Sequence, residues 1–246
     1  LFDITASDDW IKSVMREEKI ARSVPKRKLL EAAESLFAER GFEAVSVRDI
    51  TNRAEANVAS VNYHFGDREN LVLLVISRMV DPVTEDRLVR LETLERKWAG
   101  KGVPPEELLD ALARPLAVVR RKSSLPEALH QRLLGRVFSM PLEMWPDLSA
   151  ERMRQMLGRF MRAFGKSLPL VGAEDLVWRL HFVMGGMAHM LLHDVPPSGP
   201  GKLRAAGGVA LDAMIGRFVR FAAAGLREGM SQEPGQPKGP QATFDF

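Results

Sequence analysis

Ser46 to Phe65 reads SVRDITNRAEANVASVNYHF, and two helix starts lie within it. Ser46 with Asp49 three residues later is a capping-box pattern that uses Asp where Glu is usual. It predicts a short helix over Val47–Ala54 with Val47, Ile50 and Ala54 turned inward. Asn57 is the next good cap and predicts a second helix ending near His64, with Glu55–Ala56 as the tight turn between. Upstream, Leu29, Leu30, Ala33, Leu36 and Phe37 recur at helical spacing and Gly41 ends that run. Downstream, Asp67 caps a fourth helix that passes Met79. Pro82 is expected to kink or break it before a second stretch to about Trp98.

A longer helix bracing two short ones across a tight turn is the arrangement that sets a helix into a DNA major groove. On spacing alone, an ordinary three-helix fragment of a larger bundle fits as well. In the helix after Asn57, Val61 and Phe65 face inward, which leaves Val58, Ala59 and Asn62 on the outer side. Asn pairs bidentately with adenine, small apolar groups meet a thymine methyl, and free N–H groups at a helix start hold phosphate.

The run LLEAAESLFAERGFEAVSVRDITNRAEANVASVNYHFGDRENL resembles the DNA-binding domain of the TetR/AcrR family of transcriptional regulators. The likeness covers roughly residues 26–75, less than a quarter of the chain, and the form NVASVNYHFG resembles a subgroup with Asn before Tyr-His-Phe. It implies a base-reading surface of Val58, Ala59, Ser60 and Asn62. It further implies phosphate contacts from Ser46, Arg48, Tyr63 and His64, and from Arg68 where the family usually has Lys. Phe65 is then a core anchor. Glu55–Ala56 stands where the family has Gly and a small apolar residue, so Glu55 is either strained at positive φ or the turn closes differently. The resemblance also implies double-stranded DNA and a second copy of the chain as partners, with a small-molecule effector bound in a variable C-terminal region.

The rest of the chain independently reads as helical. Strong helix formers are spread throughout its 246 residues, a single Tyr is present, and no long alternating β-branched run appears. The expected fold class is therefore all-α: an N-terminal three-helix helix-turn-helix domain followed by a C-terminal bundle for dimerisation and ligand binding. The expected division is a helical extension over 1–24, the DNA-binding domain over 25–70, the bundle over 71–230 and a Pro/Gly-rich tail over 231–246. In the extension, Trp10, Ile11, Val14 and Met15 alternate with Lys12, Arg16 and Lys19, which fits a docked helix or a basic arm. Bundle helices are expected from Pro105, with a bend at Pro115, from Pro126, from Ser149 to about Phe164, over Ala173–His193, and from Lys202 to about Leu226.

In LVWRLHFVMGGMAHMLLHDV, Leu176, Leu180, Met184, Met187 and Leu191 share one face. Phe182, Gly185, His189 and Leu192 share another; with Ala210, Met214, Arg217 and Phe218 of the last helix they form the expected dimer interface. Phe138, Met140, Trp145, Met156, Phe160, Trp178, His181 and Met184 are the candidates for an effector pocket, though Met and aromatic residues at this spacing also serve as plain core. His189 and His193 lie four apart beside Asp194 without an evident third ligand, so no metal is expected.

The chain has no Cys and a net charge of +3, and residues 22–68 carry eight basic against seven acidic side chains, so any nucleic-acid footprint is local. No glycine-rich phosphate loop, HExxH pair, Cys nucleophile or Gly-x-Ser-x-Gly elbow appears, which argues against an enzyme. No cofactor is expected beyond the effector. The absence of a membrane-length apolar run and of a secretory signal pattern points to the cytoplasm. An activator, or a helical interaction module that does not touch DNA, is the alternative to a repressor.

Overall fold

The computed structural model describes residues 24–99, 101–120, 125–192 and 211–227. Apart from Val24, the expected extension lies outside these residues, as do the tail, Ala210, and the His193 and Asp194 of the considered metal pair. The described elements are all helical: α1 (Val24–Arg40), α2 (Val47–Ala54), α3 (Val58–Phe65), α4 (Arg68–Lys97), α5 (Pro105–Arg120), α6 (Glu127–Phe138), a 3-10 turn (Leu142–Met144), α7 (Asp147–Ser167), α8 (Ala173–Leu192) and α9 (Leu211–Arg227). The chain divides between Val75 and Ile76, within α4, into two compact units.

In the first unit α1 packs against α2 and α3, and Leu29, Leu30, Ala33, Leu36 and Phe37 of α1, Ile50 of α2, Val61 of α3 and Leu71 of α4 are all buried. Each fully buried Leu, Ile or Phe side chain contributes about 1.5–3 kcal/mol relative to exposure, so this small cluster can hold three short helices that are unstable alone. The inward face of α2 differs from expectation by one position. Val47 is only half-buried, whereas Ile50, Thr51 and Ala54 are buried. The helix turns its later residues toward the core and leaves its capped first turn at the solvent edge. Thr51 is tolerated inside because its hydroxyl donates to the Arg48 carbonyl at 3.2 Å.

The helix expected to kink or break at Pro82 does not break there, and the helix expected to bend at Pro115 runs on through it. Pro82 lies inside the 30-residue α4 and Pro115 inside α5. Pro82 lies on the exposed side of the helix, where its missing N–H costs the core nothing. Buried Met79, Val80 and Val83 hold the helix on its other side. The helix expected from Ser149 starts at Asp147, after Pro146, and Ser149 is buried with its hydroxyl 3.4 Å from that of Ser77.

In the second unit α5 packs against α9 and α6 against α8. Arg114, late in α5, meets Asp212 at the start of α9 at 3.2 Å, and Glu106 at the start of α5 pairs with Arg227 at the end of α9. The pair is therefore antiparallel, pinned at both ends. Arg179 of α8, almost fully buried, donates to the Leu226 carbonyl of α9 at 2.7 Å. Gly135 permits the close approach of α6 to α8: a Cβ there would stand 3.0 Å from the backbone of Leu191 and Leu192.

Candidate nucleic-acid interface and effector cavity

The surface around α3 is set by the ends of two short helices. The Ser46 hydroxyl accepts from the Asp49 N–H at 3.2 Å while the Asp49 carboxylate accepts from the Ser46 N–H at 2.8 Å, a complete capping box. Hydrogen bonds from the Ser46 hydroxyl, and then from its N–H, hold the Asp49 carboxyl below its usual range. At the other end Glu55 adopts φ 54°, ψ 44°, the only non-glycine at positive φ among the described residues. The Ala56 N–H donates to Thr51 at 2.9 Å and the Glu55 N–H to Asn52 at 3.4 Å, which is the Schellman pattern. The turn thus closes as a glycine would close it, and Glu55 bears the strain.

Asn57 then caps α3, its side-chain oxygen accepting from the N–H and hydroxyl of Ser60 at 2.8 and 2.9 Å. Val61 is fully buried, while Val58, Ala59, Asn62 and Tyr63 are exposed, Tyr63 at 86%. The His64 ring stands edge-on to Tyr63 at 5.0 Å. Phe65, expected as a core anchor, is only half-buried: the Lys26 ammonium lies over its ring at 5.4 Å and covers what the core does not.

The basic residues separate into two groups. Arg53 is paired with Glu39 at 3.0 Å and Arg40 with Asp49 at 3.4 Å. Arg48, exposed one residue inside the start of α2, has no ion pair among the described residues. Arg68 has a task the sequence did not reveal. Its Nε donates to the Val45 carbonyl at 2.9 Å and its Nη2 to the Phe42 carbonyl, so it ties α4 to the loop before α2. Ser46, Arg48, Tyr63 and His64 therefore keep open faces beside α3, and Arg68 is largely an internal brace.

In the second unit the two faces read on α8 are distinguished by exposure. Leu176, Leu180, Met187 and Leu191 are buried, joined by Arg179 and Val183, and Met184 is half-buried. Trp178 and Phe182 are 54% and 62% exposed, with rings 6.2 Å apart. Gly185 and His189 continue that exposed line, and Leu192 ends it half-buried. On α9, Met214 and Phe218 are half-buried and Arg217 is exposed; Phe218 comes against Gly186 of α8, and Phe221 is 79% exposed.

A cavity of about 440 Å³ opens beside α8. Phe138, His181 and Met184 of the pocket candidates line it, together with Gly185, His189 and Leu192 of the interface candidates. Trp145, Met156 and Phe160 are instead buried side chains of the bundle, and Trp178 lies on the exposed face. Met140 is half-buried beyond the end of α6 and does not line the cavity. No cluster of three metal-ligating side chains occurs among the described residues, and no described helix is long and apolar enough to cross a membrane.

Arg87 of α4 was missed in the sequence. It is fully buried, its Nε donates to the Leu112 carbonyl at 2.7 Å, and its guanidinium lies 5.1 Å over the Phe138 ring. Burial lowers its pKa to about 9. The signal was present in the stripe Ile76, Val80, Val83, Arg87, Leu91, where one cation occupies an apolar position.

Comparison with known proteins gives this arrangement a family. Residues 29–75 match the family described as bacterial regulatory proteins, tetR family, and residues 110–225 match the tetracyclin repressor-like C-terminal domain. The chain is 34% identical over 70 residues to the transcriptional repressor AcnR of Corynebacterium glutamicum, which covers 27% of this chain and 37% of that protein. It is 24% identical over 114 residues to the transcriptional regulator HbdR of an Aromatoleum species, covering 46% of each. The chain thus spans less than half the length of these curated relatives. The crystal structure of a TetR-family regulator from Bordetella parapertussis shares the fold, with a TM-score of 0.55 at 16% identity over 82% of this chain and 94% of that one. The chain belongs to the TetR family of transcriptional regulators, with its N-terminal and C-terminal parts both matched.

Proposed function

We propose that this TetR-family regulator binds double-stranded DNA as a homodimer, reading a palindromic operator through α3 and repressing transcription until a small-molecule effector releases it. The observation that carries the reading is α3 itself. Eight residues long and capped at its start, it is held by one buried side chain, Val61, and leaves its polar outer face bare. Val58, Ala59 and Asn62 are the base-reading residues, with Ser60 acting mainly through its bond to Asn57. Ser46, Arg48, Tyr63 and His64 hold the backbone. Asn62 before Tyr63-His64-Phe65 is the feature that supports placing the chain in the subgroup with that pattern.

One recognition helix reads too few base pairs to define an operator, so a second copy has a physical purpose. The exposed Trp178, Phe182 and Phe221 on α8 and α9 support a four-helix interface between two copies. Repression is the sense named for the relative AcnR. A mobility-shift titration of the full chain against pooled genomic fragments at low salt tests the function. Retarded fragments that compete away only with their own sequence are expected. No shift at any concentration would leave a helical interaction module as the better reading.

A further inference from the structure

Arg87 is unusual in what surrounds it. A fully buried guanidinium ordinarily faces a carboxylate, because an isolated interior charge is costly. Here the partners are one carbonyl, an aromatic face and the Met187 sulfur at 3.9 Å. Arg87 Nη1 is buried and has no hydrogen-bond partner among the described residues. Two other buried donors share that condition nearby. Thr84 Oγ1 lies one helical turn before Arg87, and Trp145 Nε1 belongs to the indole packed edge-on against Phe138 at 5.8 Å. Guanidinium and indole thus meet the same Phe138 ring, and Phe138 and Met187 both line the 440 Å³ cavity. The cation sits directly behind the cavity wall, and Met187 is flexible enough to turn aside.

Donors without acceptors beside an apolar space describe a ligand with an apolar body and an anionic end. We infer that the effector is an apolar acid, its hydrophobic body lying against Phe138, Met184 and Leu192 and its carboxylate accepting from Arg87, with Trp145 Nε1 and Thr84 Oγ1 as further donors. A guanidinium matches a carboxylate bidentately, which favours an acid over an alcohol or an amide. The inference rests on the effector-responsive reading given above and narrows it to a chemical class.

Calorimetric titration of the full chain with decanoate and 4-phenylbutyrate, each beside the alcohol of the same carbon skeleton, tests it. At least one acid is expected to bind about tenfold or more tightly than its alcohol, as a charged hydrogen bond would require. Arg87→Met should remove that preference, bringing the acid's affinity to within a few-fold of its alcohol's. Should Arg87→Met unfold on thermal melting, Trp145→Phe keeps the ring, removes the N–H, and should lower acid affinity alone by a few-fold. Equal binding of acid and alcohol, or an acid preference that survives both Arg87→Met and Trp145→Phe, overturns the acid assignment and leaves the effector cavity standing. Failure of all four probes to bind overturns the effector cavity and the acid assignment together.

Discussion

The outer faces of α3 and α8 are both left bare, and the chemistry of the two differs completely. On α3 the exposed residues are an amide, a phenol and small side chains, with Ser60 and Asn57 already satisfying one another. On α8 they are an indole, a phenyl ring, glycine and imidazoles. A polar face costs little in water and can wait for a partner whose phosphates and base edges replace that water. An apolar face of this size is a liability unless a second protein surface covers it. Exposure alone shows that a face is open, and side-chain chemistry sets which kind of partner would suit it.

The largest effect should come from breaking the apolar face. Phe182→Glu places a charge at the centre of the proposed interface, where a hot-spot residue is worth about 2 kcal/mol or more. Sedimentation should show the monomer, and operator affinity should fall by at least about thirtyfold; a mutant that remains a dimer would refute the assignment of α8. Next is Arg68→Ala. Its bonds to Val45 and Phe42 make it a brace, and losing charge-assisted bonds of this kind costs about 1.5–3 kcal/mol. Denaturant unfolding should reveal that loss, with DNA affinity falling only as far as folding does.

Asn62→Ala should instead change base preference at one position per half-site by about 1–3 kcal/mol. Tyr63→Ala should weaken cognate and scrambled duplexes alike, so an unchanged preference in the first or a sequence-selective loss in the second would blur the division drawn on α3. Glu55→Gly removes a side chain from a left-handed position and should stabilise the first unit by about 1 kcal/mol, read as a higher urea midpoint. The smallest effect is acidic. Asp49, through Ser46, and Glu106, through its bond from Arg227, have carboxyls held below their usual range. A lowered folded-state pKa gives stability that is complete at neutral pH and disappears as pH falls through the lowered value. The melting temperature should be flat above about pH 5 and decline below about pH 4, whereas a decline already at pH 6 would point to other groups.

Much of the first unit was legible because its determinants are local. Ser46, Asp49, Asn57 and Asp67 act over three residues, and the structure caps helices at each predicted position. Glu55 left two turn geometries open, since sequence cannot say whether a side chain tolerates positive φ. The bracing bonds of Arg68 were not foreseen because their acceptors, Phe42 and Val45, are more than twenty residues away. In the second unit, helices and their apolar stripes were readable by period, but whether Pro82 would break its helix was not, because tertiary packing holds the helix through it. Pocket residues were the least legible. Phe138, His181 and Met184 border the cavity while Met156 and Phe160 fill the core, and periodicity does not distinguish those outcomes.

The central claim is that two copies of α3 read DNA together. In vitro selection of duplexes by the full chain tests it most directly. The account predicts an inverted repeat whose half-site centres lie about one helical turn or a small multiple apart, with one half-site base pair losing its preference in Asn62→Ala. A selected sequence without two-fold symmetry, or a selected symmetric one indifferent to Asn62, would contradict it.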